Sequence, residues 1–169
     1  MNPTRRALLK FSFALPVLGM VPLVPSLVMA QNDERLPLVI HTSQGPHRLS
    51  VEVAETPAQR QRGLMERDHL DVDSGMLFLY DRQQSGRQGF WMYRTRIPLD
   101  IAFIDSDGRI VAIEQMPPCE SLRPAQCPSY EPGEAYHSAL EVNAGYFAER
   151  GINVGDCVSL PGHAGFCRT

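Results

Sequence analysis

Residues 97–115 read IPLDIAFIDSDGRIVAIEQ, and the fold is decided in this stretch. Two apolar runs, Ile97 to Ile104 and Arg109 to Gln115, flank Asp105-Ser106-Asp107-Gly108. An Asp-Gly pair between apolar runs signals a β-hairpin, because the turn that matches strand twist needs residues tolerant of positive φ. The aspartates also suggest calcium, but no distal bidentate glutamate stands at EF-hand spacing.

Working outward, the neighbours read as strands too. Gly75 to Tyr80 is a buried run, and Phe90-Trp91-Met92-Tyr93 follows a polar loop from Arg82 to Gly89. Leu38-Val39-Ile40 ends at Ser43-Gln44-Gly45-Pro46, after which Leu49, Val51 and Val53 alternate with polar residues. That alternation is the period of a half-buried strand, so the two segments form a hairpin. Thr56 then caps a helix, with Pro57 at its first position and Gln59 closing a capping box. The helix is expected to reach Glu66, with Arg62 and Glu66 one turn apart, and Gly63 is expected to permit close packing on a strand.

Downstream, Pro117 to Glu134 is irregular, with five prolines and two cysteines. Loops of that length inside a domain are functional or specially tethered. Tyr136, Ser138, Leu140 and Val142 alternate as a strand. A short helix is expected from an Asn143 cap to just before Gly151, with Ile152 touching Phe147 in a Schellman motif. Gly155-Asp156 turns the chain into a last strand, Cys157 to Leu160. The expected fold is mainly β (α+β): an antiparallel β-sandwich or squat barrel of about eight strands with two short helices.

The amino terminus reads as an address. MNPTRRALLK is basic, and Phe11 to Ala30 carries no charge. This is the pattern of a secretory signal cleaved after Ala30, and Thr4 to Lys10 resembles the twin-arginine type. Pro16, Pro22 and Pro25 break the run as a spanning helix, so no stable membrane span is expected after cleavage. The expected product is one domain over 31–169, with a tail after 160, in the periplasm or secreted. Losing Arg5, Arg6 and Lys10 moves the net charge from −3 to −6. A nucleic-acid binder would need a basic face instead. Lys10 is the only lysine, so Schiff-base chemistry has no nucleophile in the mature chain.

Cys119, Cys127, Cys157 and Cys167 make an even count in an exported chain, which points to disulfides. Local pairs, Cys119–Cys127 and Cys157–Cys167, are preferred among three pairings. A metal site combining cysteines with His137 or His163 finds no C-x-x-C spacing, so no metal is expected.

Several segments together resemble one family. They are Gly63-Leu64-Met65 with Arg67, Gly75-Met76-Leu77-Phe78, Phe90-Trp91-Met92 with Thr95, and Ile97-Pro98-Leu99-Asp100-Ile101 with Phe103-Ile104-Asp105. Leu140 to Gly145, Gly151-Ile152 and Gly155-Asp156 complete the set. The chain resembles domain-of-unknown-function family 192 over roughly 38–160. The resemblance implies a compact β-rich fold, often behind an export signal, and no established activity. It also implies Lys-Asn where Tyr93-Arg94 stand here.

There is no P-loop, dinucleotide glycine signature, G-x-S-x-G elbow or H-E-x-x-H. The polar residues set beside apolar family segments are Arg67, Thr95, Asp100 and Glu141, where a charge needs a reason. They are the candidate ligand-binding residues, together with Trp91 as a stacking surface. Asp100 and Glu141 are candidate catalytic residues, an acid/base pair with Arg67 gripping an anion, against the simpler reading of Arg67 as an ion-pair partner. Met65, Met76, Met92 and Met116 suit either Cu(I) or core packing. The leading expectation is a small exported binding or accessory domain of the cell envelope, without cofactor, acting on an unknown small ligand or envelope protein. Its pocket would lie near the 117–134 loop and the Arg67, Asp100 and Glu141 group. A small hydrolase or lyase using Asp100 and Glu141 is the alternative, and copper handling a further one.

Overall fold

The computed structural model describes residues 35–160 and Cys167. The expected leader with its cleavage point, residues 161–166 (His163 among them), 168 and 169 lie outside the described residues. Nine strands and two short α-helices follow in order: β1 (Leu36–Thr42), β2 (Gly45–Ala54), α1 (Pro57–Arg62), β3 (Ser74–Gln84), β4 (Phe90–Trp91), β5 (Leu99–Ile104), β6 (Ile110–Met116), β7 (Ser129–Tyr130), β8 (Tyr136–Asn143), α2 (Tyr146–Glu149) and β9 (Cys157–Ser159).

Seven strands form one sheet in the order β6-β5-β8-β3-β2-β1-β9, and β4 pairs with β7 separately. The large sheet curls so that its edges meet. Arg109, just before β6, bridges Cys157 of β9, and the N–H of Ile110 donates to the carbonyl of Asp156 at 2.9 Å. The result is a squat half-barrel. All neighbours in the large sheet run antiparallel except β2 and β3, which are parallel. Parallel neighbours need a crossover, and α1 with the turns after it supplies one.

The local signals form the expected elements. Asp105 takes its own turn in hand: its carboxylate accepts from the N–H of Asp107 and of Arg109, each at 2.9 Å. Thr56 and Gln59 make the reciprocal capping box of α1. The helix stops at Arg62, earlier than expected, because Gly63 adopts φ 46°. A Cβ there would also stand 3.3 Å from the Phe78 ring, so glycine lets the turn lie on β3. Glu66 therefore pairs with Arg94 and not with Arg62 in a helical turn. At the other end of the chain, the N–H groups of Gly151 and Ile152 donate to Ala148 and Phe147, the paired bonds of a Schellman motif. Gly145, rather than Asn143, caps α2. Asn143 is still in β8, and its amide donates to the carbonyls of Leu70 and Asp71.

Two apolar clusters hold the body together. The first takes residues from all seven strands of the sheet and from α2, and fills the concave side. The second lies on the other face of β3, β5 and β8, under Leu64, Phe90 and Met92. β8 is thus a central strand covered on both faces, and its side chains from Ser138 to Val142 are buried whichever way they point.

Candidate functional site

Glu141 is the consequence of that burial. It lies on β8 in register with Met76 of β3 and Ile101 of β5. Both neighbours belong to the second cluster, as does Ala139 two residues away on the same strand. A carboxyl is thereby placed in the middle of an apolar face. Above it the end of α1, the Gly63–Met65 turn and β4 frame a half-open cavity of about 120 Å³. Arg60, Arg62, Tyr80, Trp91, Thr95 and Glu141 line it, along with the rings of Phe78 and Phe90.

The Glu141 residue is 5% exposed, and among the described residues its carboxyl makes no hydrogen bond or ion pair. Burial alone pushes its pKa up to about 8. An isolated carboxylate in such a place loses its hydration with nothing in return, so the neutral acid is favoured. At neutral pH the group is consequently a hydrogen-bond donor as well as an acceptor. Burial also raises the Tyr80 phenol, with the Glu141 charge adding to the shift and Tyr136 and Arg60 opposing it. The Arg60 guanidinium lies 4.7 Å from the centre of the Tyr80 ring, and its Nη1 donates to the carbonyls of Glu55 and Leu79.

The residues singled out from the sequence do not all meet here. Glu141, Thr95 and Trp91 share the cavity wall. Trp91 is 41% exposed while Phe90 and Met92 turn inward, as strand alternation requires. Asp100 sits beside Glu141 in the sheet but faces away. Ile101, not Asp100, is in register with Glu141, and successive side chains point to opposite faces. Asp100 is 4% exposed, accepts from the N–H of Gly145 at 2.9 Å, and takes a second bond from the Gln115 amide. It fixes the corner between β8 and α2. The expected acid/base pair of Asp100 with Glu141 is therefore corrected: the pleat separates the two carboxyls.

Arg67 is also elsewhere. It grips Glu52 with both Nη atoms, Nη1 at 2.6 Å from Oε1, and this hydrogen bonding holds the Glu52 carboxyl below its usual range against partial burial. Met76, Met92 and Met116 lie in the second apolar cluster, where packing accounts for them, and Met65 lines the cavity.

The 117–134 segment does border the site. A wider groove of about 440 Å³ adjoins the inner cavity, sharing Met65 and Trp91 with it, and includes Tyr93, Arg94 and Pro124. Pairing of β7 with β4 anchors the segment next to Trp91. Cys119 is bonded to Cys127 within it, and Cys157 to Cys167 beside β9. Arg94 has φ 59°, a left-handed conformation that asparagine adopts more readily.

Arg60 and Tyr80 escaped the sequence reading. Arg60 drew no reading of its own, and Tyr80 was only the end of a strand. Only the crossover from β2 to β3 stacks one on the other.

The model of an uncharacterised family, described as uncharacterized ACR, matches residues 39–160. Among solved structures, a putative transcription regulator from Sinorhizobium meliloti 1021 is 33% identical, over 76% of this chain and 95% of that one, with a TM-score of 0.67. A protein of unknown function from Novosphingobium aromaticivorans DSM 12444 is 32% identical, over 74% of this chain and 84% of that one, with a TM-score of 0.64. No curated protein matches significantly. The matched segment takes in every strand and helix described above except the first residues of β1, and the chain belongs to domain-of-unknown-function family 192.

Proposed function

We propose that the chain is an exported cell-envelope domain that binds a small ligand in the cavity over Glu141. One observation carries this reading: a buried carboxyl without a partner among the described residues opens onto a cavity walled by aromatic rings. Such a group costs stability, and pockets with a few convergent polar groups and a perturbed pKa are the usual places where ligands bind. The export part is supported by the leader-like amino terminus and by disulfides, which persist in oxidising compartments. Among the described residues no helix is long and apolar enough to cross a membrane.

A second reading is a small hydrolase or lyase with Glu141 as general acid. Its support is the raised pKa, since a carboxyl protonated near neutrality is what an acid catalyst requires. Asp100 takes no part in this version. The regulator role named for the Sinorhizobium relative is not carried over, since a net charge of −3 argues against general nucleic-acid binding.

Amide chemical-shift mapping with a library of small fragments tests the binding reading. Binders are expected to move the signals of Gly63, Leu64, Trp91 and Thr95 together. Shifts scattered over the surface, with none at these residues, would contradict it.

A further inference from the structure

We propose that the inner cavity takes a small organic carboxylate, with the Glu141 carboxyl donating a hydrogen bond to it. The inference rests on the binding reading above and names its ligand class. Three features of the cavity point to an anion. Among the described residues Glu141 is the single acid in the lining, and Arg60 brings a guanidinium fixed by the carbonyls of Glu55 and Leu79. The carboxyl is enclosed and unpartnered among the described residues, so it enters the site as the neutral acid and has a proton to give. A hydrogen bond from a neutral acid to an ionised oxygen is charge-assisted and correspondingly strong. A cationic ligand would instead have to strip that proton and settle beside the like charge of Arg60.

The rest of the wall sets the shape. Phe78, Phe90 and Trp91 offer apolar surface to the body that carries the carboxylate. An aromatic or short aliphatic acid matches a space of about 120 Å³.

The groups around Glu141 leave it alone to titrate near neutrality. On its two flanking strands the residues in register are Met76 and Ile101, which carry no proton. Tyr80 on β3 and its neighbour Tyr136 on β8 are both raised above 10 by burial. Arg60 and Arg62 of α1 are the charged residues on the remaining side. With Glu141 titrating at about 8, the donating form dominates at pH 7 and is scarce at pH 9.

Benzoate and benzamidine, similar in shape and opposite in charge, separate the possibilities by calorimetry on the disulfide-bonded chain. Benzoate is expected to bind at pH 7 and about tenfold more weakly at pH 9, as the competent fraction falls. Glu141→Gln keeps an N–H donor and is expected to bind benzoate equally at both pH values. Its folding is checked by thermal unfolding in the same buffers. Benzamidine binding that strengthens from pH 7 to pH 9 and disappears in Glu141→Gln would overturn the carboxylate class while leaving a binding site in place. Absence of benzoate binding at pH 7 would also overturn it, and the fragment mapping then decides separately whether the cavity binds anything.

Discussion

Between pH 4.5 and pH 8 the protein is expected to lose on the order of 4–5 kcal/mol of stability, and Glu141→Gln to lose little over the same span. The sign follows from where the proton sits. In the unfolded chain the carboxyl ionises around its ordinary value of 4.5, and in the fold it stays protonated up to about 8. Within that window the native state holds the extra proton. Raising the pH therefore favours unfolding, by about 1.4 kcal/mol for each unit. The loss starts near pH 4.5 and is complete just above pH 8. Glu52 acts in the opposite direction and in a different window: its lowered pKa adds stability that is lost only as the pH falls below the ordinary carboxylate range. The optimum is thus mildly acidic. Urea titrations of both proteins across this range give the difference directly. Parallel curves for wild type and Glu141→Gln would show that the carboxyl is solvated in the fold. The variant itself begins with a handicap of about 1–3 kcal/mol, because its amide is buried without a partner. It overtakes the wild type as the pH rises.

Phe103→Ala is expected to cost about 3–5 kcal/mol. Phe103 is fully buried on β5, with its ring edge-on to Phe90 at 5.7 Å and to Tyr136 at 5.0 Å. Phe90 in turn meets Phe78 at 5.0 Å. These rings fill the space beside the cavity, so removing one leaves a void that strands fixed by ladder bonds collapse into only partly. The effect reaches the site as well. Phe90 is next to Trp91, the single tryptophan, and its emission reports any change in the cavity wall. Denaturant unfolding with an unchanged slope and a lower midpoint is the expected result. A loss below about 1 kcal/mol would mean that the ring cluster is not packed as described.

Much of this architecture is legible in the residues because local chemistry and tertiary packing agree. The Asp105–Gly108 turn, the Thr56 capping box and the Gly151 terminus each satisfy backbone groups within a few residues, and no distant contact contradicts them. The parallel pairing of β2 with β3 is not legible that way. Alternation tells which face a residue takes and nothing about which strand lies beside it. The same limit explains the site. Glu141 and Asp100 looked equivalent as acids in apolar runs. Their difference is a matter of register: a shift of one residue between β5 and β8 decides which of them faces the cavity and which is satisfied by Gly145 and Gln115. Arg67 fits the simpler reading of an ion-pair partner, and only the crossover shows that its carboxylate is Glu52.

Glu141 is a neutral acid beneath the cavity, and carbon-13 NMR of its side-chain carboxyl measures that state most directly. A titration midpoint near 8 is the expected result. A midpoint close to the ordinary 4.5 would place an ionised, solvated or paired carboxylate there and contradict both the proposed site and its ligand class.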